Sequence, residues 1–219
     1  MPETSRQAYL DGPTLGELVA VVAAGALHVV AELLLSESIA LTSSAAAVAG
    51  YLTYVVWRAR VTPGALTLWG LRRDNFLPAL RAQLAFVAVA GVALAVIGAI
   101  LGRVAVPRSF WLTLALYPLW GTAQQFALQN LIARNLLGFT RNEIAIACIA
   151  SALFGLSHYP RIDLALLTLA AGVPFTLIFR RRPNLWAVGI AHGILGTLAV
   201  YWVAGEDPGA LILGSLTGP

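Results

Sequence analysis

Apolar runs close to or longer than the ~20 residues needed to cross a hydrocarbon core recur along nearly the whole chain. Such a chain has few folds open to it, because nothing inside a bilayer satisfies a bare backbone N–H or C=O, and only helices and closed barrels do so internally. Barrel strands alternate in polarity. These runs do not, so the sequence predicts an all-α fold, a polytopic transmembrane helix bundle of about seven spans. They fall at 15–35, 39–57, 82–101, 110–132, 143–158, 163–179 and 185–204, the fifth and sixth being short. In the tail, Pro208, Gly209, Gly214 and Gly218 favour an interfacial stretch over an eighth span. With 59% hydrophobic residues, 11% charged and a mean hydropathy of +0.80, no soluble domain remains, and 1–219 reads as a single integral membrane domain.

All fourteen basic residues are arginine and the net charge is +4. Their positions follow the spans, so the charge is not a nucleic-acid footprint and no nucleic-acid partner is expected. Arg6 precedes the first span; Arg58, Arg60, Arg72, Arg73 and Arg81 follow the second; Arg134 and Arg141 follow the fourth; Arg180, Arg181 and Arg182 follow the sixth. With seven spans these share one side, opposite Arg103, Arg108 and Arg161, and the positive-inside rule sets the N-terminus in the cytoplasm. The clusters read as orientation signals that touch membrane lipid headgroups. The opening MPETSRQAYLDGP lacks the cationic start and cleavage site of a signal peptide, so the first helix is expected to stay attached. The single cysteine, Cys148, falls inside a span, forms no internal disulfide, and is expected to fill the core.

Polar side chains inside hydrocarbon cost a few kcal/mol each unless paired or wetted, which makes each one informative. His28 and Glu32 stand four apart on the first span, close enough to pair on one face; Glu32 and Glu37 read as interfacial. The fourth span carries Gln124, Gln125, Gln129 and Asn130, too much amide for a lipid-facing surface. Gln125 and Gln129 share a face, and Gln124 is turned about 100° from Gln125, so the set lines a wedge aimed into the bundle. Taken alone, such a cluster is accounted for more readily by interhelical hydrogen bonding than by function. His158 ends the fifth span just before Tyr159-Pro160, where the helix should stop, and His192 lies inside the seventh. At about 1.5 Å per residue, Gln124 and His192 both lie ~15 Å from Arg134 and Arg182, so they can meet at one depth. His158 lies ~25 Å from Arg141 by the same rise, so its helix must tilt or stop short of the far surface.

On these residues the chain resembles the CPBP family of intramembrane proteases, which includes the CAAX prenyl proteases and bacteriocin-processing or immunity proteins. The family carries Glu-Glu-x-x-x-Arg on one helix, Phe-x-x-x-His on the next and His-x-x-x-Asn further on. Here Gln124, Gln125 and Gln129 stand at the first motif, Phe154 and His158 at the second, His192 and Gly196 at the third. GLRRDNFLPAL at 70–80 looks like the arginine-bearing segment that precedes the family's core, and the likeness spans residues 65–204. It implies an integral protein of a prokaryotic plasma membrane acting on a membrane peptide or lipidated protein, with the motif residues as the catalytic set.

The departures fall on the chemistry. The family's first glutamate activates water, while its histidines and asparagine position that water and stabilise the oxyanion. A neutral amide accepts no proton at ordinary pH, so the general-base role, worth about 10²–10⁴ in rate, has no occupant at Gln124. No cofactor is expected, since a catalytic zinc needs three ligands and His158 and His192 supply two, with Glu32 the sole acid that could join them. Replacing acid and arginine together yields a set of amides that satisfy one another without buried charge. Two readings stay open: an endopeptidase in which His158 and His192 act on water, and a catalytically silent relative, a pseudoenzyme that binds its peptide or partner. A transporter is the third and weakest, since no paired half-helices are visible.

Overall fold

The structure, a computed structural model, describes residues 14–35 and 37–217. Arg6, the polar opening, the Glu37 side chain and Gly218 lie outside the described residues. The described chain is helical: α1 (Thr14–Leu34), α2 (Glu37–Val61), a single turn α3 (Ala65–Leu68), α4 (Phe76–Ile100), α5 (Arg108–Phe126), α6 (Glu143–Leu156), α7 (Ile162–Arg181), α8 (Leu185–Leu198) and α9 (Pro208–Thr217). π-helical turns extend α5 over Ala127–Ala133 and α8 over Ala199–Ala204. Four helices are long and apolar enough to cross a membrane by themselves: Leu15–Leu34, Phe76–Ile100, Ile162–Arg181 and Leu185–Ala204. α6 is shorter, and α2 and α5 are the least apolar of the long helices.

The polarity is inverted relative to a water-soluble domain. Val89, Ile100, Leu119 and Leu166 are exposed, whereas Gln83, Thr113, Gln125, Gln129, Asn130, Asn135, Thr176 and His192 are buried. Apolar faces outward and hydrogen-bonding groups inward suit hydrocarbon as solvent, where a polar group costs least when another helix satisfies it. The protein is an integral membrane protein of transmembrane helices.

Several boundaries differ from the sequence expectation. α4 begins at Phe76, six residues ahead of the expected 82, because the arginine-bearing loop before it is short and tightly held. α7 spans 20 residues and is not short, Pro174 being absorbed within it. Cys148 is exposed on the outer face of α6 and does not fill the core, since Ile146, Ala147 and Ala150 take the inner face. The tail forms the ten-residue helix α9, with Pro208 at its first position and the Asp207 carboxylate accepting from Ala210 N–H at 2.9 Å.

Two loops lock one end of the bundle. Asn184 Nδ2 donates to Arg72 O (2.8 Å) and Asn75 Oδ1 (2.9 Å), Asn75 Nδ2 to Pro183 O (3.0 Å), and Leu185 N–H to Gly70 O (2.8 Å). Gly70 has φ of 82°, and a Cβ there would sit 3.1 Å from Leu185 N, so both the left-handed backbone and the close approach require glycine.

Candidate functional site

The site depends first on how closely α5 and α8 approach. A Cβ on Gly189 would lie 2.0 Å from Thr122 Oγ1, one on Gly193 2.5 Å from Pro118 N, and one on Gly121 2.9 Å from Gly189 O. Small residues facing each other let two backbones touch, the usual route to tight packing where lipid offers no hydrophobic drive. His192, between Gly189 and Gly193, is thereby pressed against α5.

Beyond Phe126 the α5 helix widens, and Arg134 N–H reaches back five residues to Gln129 O at 3.1 Å. This π-helical segment turns Leu128, Ile132 and Ala133 into an apolar cluster with Ile146, Ala150 and Phe154 of α6. Asn130 donates to Trp69 O at 3.2 Å on the other side. π-bulges recur at functional sites because they re-aim side chains that a regular helix would hold elsewhere.

Three helices then close a hydrogen-bonded chain. Gln125 Nε2 lies 2.9 Å from His192 Nδ1, and Gln129 Nε2 donates to Gln125 Oε1 at 2.9 Å and to Thr176 Oγ1 of α7 at 3.2 Å. An amide nitrogen can only donate, so His192 Nδ1 accepts and the neutral ring carries its proton on Nε2, an assignment fixed by the network. Gln125 and Gln129 are 0% and 3% exposed, His192 8%. Phe175 stacks on His192 with centroids 5.8 Å apart and planes at 20°. Gln129 Oε1 is buried with no hydrogen-bond partner among the described residues.

α6 ends at Leu156, and His158 sits in the turn that follows. Its Nδ1 donates to Phe154 O at 2.8 Å, so its Nε2 keeps the lone pair. Phe154 meets both imidazoles edge-on, at centroid distances of 4.9 Å to His158 and 5.9 Å to His192. The two histidines are within electrostatic reach of each other, and His28 of α1 is within reach of His158. Gln124 is half-buried, and its side chain makes no hydrogen bond among the described residues.

At Gly196 the arrangement departs most from the family pattern. A Cβ there would lie 2.9 Å from Tyr117 Cε1 and 3.8 Å from His192 Cδ2. The phenol ring of Tyr117 thus fills the volume that a longer side chain at 196 would need. Carboxylates are held elsewhere: Glu17 by Arg134, Glu143 by Arg180, Asp163 and Glu206 by Arg161, Asp74 by Arg72. Glu32 is exposed on α1, where hydrocarbon-facing positions surround it. Among the described residues no three His, Cys, Asp or Glu side chains stand close enough to hold a metal ion.

Thr176, Phe175 and Tyr117 were not singled out by sequence, because one threonine or aromatic in a span gives no signal. Glu17 was missed likewise: it accepts from Asn135 Nδ2 at 3.0 Å and also from Tyr54 and Arg134, tying α1 and α2 to the segment after α5.

These features define an intramembrane helical protein with a buried, charge-free polar site shared by α5, α6, α7 and α8. Residues 106–198 match a family model described as Rce1-like, Type II CAAX prenyl endopeptidase Rce1-like. The matched stretch takes in every motif position from Gln124 to Gly196, and its similarity to that family agrees with the CPBP resemblance. Among curated proteins and solved structures none matches.

Proposed function

We propose that this protein binds a membrane peptide or lipidated protein segment at the Gln125–His192 site and does not hydrolyse it. The observation that carries this reading is the closed chain Gln129–Gln125–His192, with 2.9 Å at each link and no carboxylate in it. Gln125 spends its donor on His192 and its acceptor on Gln129, so neither His192 nor a water beside it has an adjacent base of the acidic kind. What the site offers is hydrogen bonding: the free amide of Gln124, the Nε2–H of His192 and the orphaned Oε1 of Gln129. Two donors and an acceptor without net charge complement a backbone peptide unit. Residues 65–204 form the family-like core of one membrane domain, with the N-terminus cytoplasmic by the positive-inside rule in a prokaryotic plasma membrane.

A second reading rests on the two tautomers. His158 Nε2 bears a lone pair while His192 Nε2 bears a proton, a base and a donor on either side of Phe154. That pair could act on water, as in an endopeptidase.

The test uses purified protein in proteoliposomes with membrane-anchored and prenylated peptides. The binding reading expects retention without cleavage product over long incubation, and weakened retention on Gln124→Ala, a side chain the fold does not use. Cleavage abolished by His192→Ala would overturn it in favour of the endopeptidase. On the binding reading, Gln124→Glu/Gln125→Glu/Gln129→Arg should gain cleavage that the unaltered chain lacks.

A further inference from the structure

The locked loops at the arginine-rich end gather charge that the site does not use. Asn184 and Asn75 hold the loop at 70–75 against the turn at 182–185, and Arg182 Nη1 donates to Pro78 O at 2.9 Å. Arg73, Arg81, Arg181 and Arg182 are thereby brought to one corner, all exposed. Nearby acids are already engaged, Asp74 by Arg72 and Glu143 by Arg180. The guanidinium groups of Arg73, Arg81 and Arg181 make no hydrogen bond or ion pair among the described residues.

We propose that this corner is a binding site for the phosphate headgroup of an anionic phospholipid, with Arg73, Arg81 and Arg181 as its ligands. Three features favour a lipid over a soluble anion. The corner lies where the spans Phe76–Ile100 and Leu185–Ala204 begin and Ile162–Arg181 ends, at the level of a headgroup. Leu77 and Leu84 stand about one helical turn either side of Arg81 on α4, Trp186 lies in the first turn of α8, and all three are exposed apolar surface for acyl chains. The guanidinium fork matches phosphate oxygens two at a time. The site is built by hydrogen-bonded loops and not by free side chains alone, so a lipid here is retained stoichiometrically, unlike one merely attracted by net charge. It is independent of the Gln125–His192 site.

Native mass spectrometry of the full chain, released from nanodiscs of phosphatidylcholine with one fifth phosphatidylglycerol, reads the retained lipid directly. Each surface arginine contributes about fivefold to anionic lipid affinity, so Arg73→Gln/Arg81→Gln/Arg181→Gln should weaken phosphatidylglycerol retention by up to about 100-fold. Arg60→Gln/Arg141→Gln, removing charge from the same end but outside the corner, should leave retention unchanged. Should the glutamine variant insert wrongly, Arg73→Lys/Arg81→Lys/Arg181→Lys keeps the charge and should still weaken retention, by less than the glutamine variant, because lysine cannot make the fork. Equal loss in the Arg60/Arg141 control, wild-type retention in the lysine variant, or displacement of the lipid by millimolar inorganic phosphate would each overturn the proposal.

Discussion

The side-chain amide of Gln125 donates to Nδ1 of His192 across 2.9 Å, joining two helices whose backbones are in glycine-mediated contact. Both groups are buried, so deleting either leaves the facing atom, Gln125 Nε2 or His192 Nδ1, without that partner. Gln125→Leu and His192→Leu should each destabilise the protein by about 1–3 kcal/mol. The double variant should cost less than their sum, by a coupling of about 0.6–2 kcal/mol. Thermal or denaturant unfolding in detergent checks this, and strictly additive losses would show that the contact carries no energy.

The Tyr117 ring stands 2.9 Å from where a Cβ of residue 196 would be. Gly196→Asn, which would restore the family's third motif, therefore overpacks the α5–α8 seam and should cost about 1–3 kcal/mol. Tyr117→Ala should itself destabilise by leaving a cavity, yet the pair Tyr117→Ala/Gly196→Asn should recover most of the stability lost by Gly196→Asn. Unfolding midpoints of the four proteins in the same detergent decide it. No recovery in the pair would mean that the asparagine clashes with the α8 backbone or His192 and not with the phenol.

Much of the site was legible because polar residues in an apolar chain are conspicuous. Gln124, Gln125, Gln129, His158 and His192 stand out by chemistry alone, and the apolar runs give the helix order. What could not be read was register after a local change in helix type. A regular 100° turn per residue holds to Phe126, but the π-helical segment re-aims Gln129 and Asn130, so Thr176 and Trp69 emerge as partners only in three dimensions. Cys148 was misjudged for a related reason: in a membrane, a small apolar side chain is as much at home facing lipid as facing the core. Nothing in the sequence near residue 196 signals that Tyr117, on another helix, takes up the glycine's missing volume.

Asp207 links the last spanning helix to the tail. Burial raises its pKa, but hydrogen bonds from Tyr201 (2.6 Å) and Ser109 (2.7 Å) and from backbone amides of α9 outweigh it, holding the carboxyl below its ordinary 3.8. A group whose folded pKa is depressed stabilises the fold above its unfolded value and loses that contribution as pH falls through the folded one. Docking of α9 on Ser109 and Thr113 should thus hold unchanged from pH 7 to about 4 and weaken only below that range. Hydrogen exchange of residues 208–217 measures it. Asp207→Asn, which keeps an acceptor but no charge, should lower protection already at pH 7 and flatten the acid dependence.

Glu17 and Arg134 form an ion pair whose side chains are 13% and 12% exposed, the only described acid–base pair between α1 and the segment after α5. α1 buries little apolar surface, with Ala31 its one buried hydrophobic residue, so this polar contact carries much of its attachment. Glu17→Gln leaves Arg134 charged with a weakened partner. The cost should lie between the about 1 kcal/mol of an exposed pair and the about 3–5 kcal/mol of a fully buried pair broken on one side. Because Glu17→Gln takes the countercharge from a guanidinium that stays charged, Glu17→Gln/Arg134→Gln should be more stable than Glu17→Gln alone. Protease nicking of the α1–α2 connection in proteoliposomes reports detachment. Faster nicking in Glu17→Gln that slows in the double variant would identify the ion pair as the tether, whereas unchanged nicking in both would mean that lipid packing holds α1 without it.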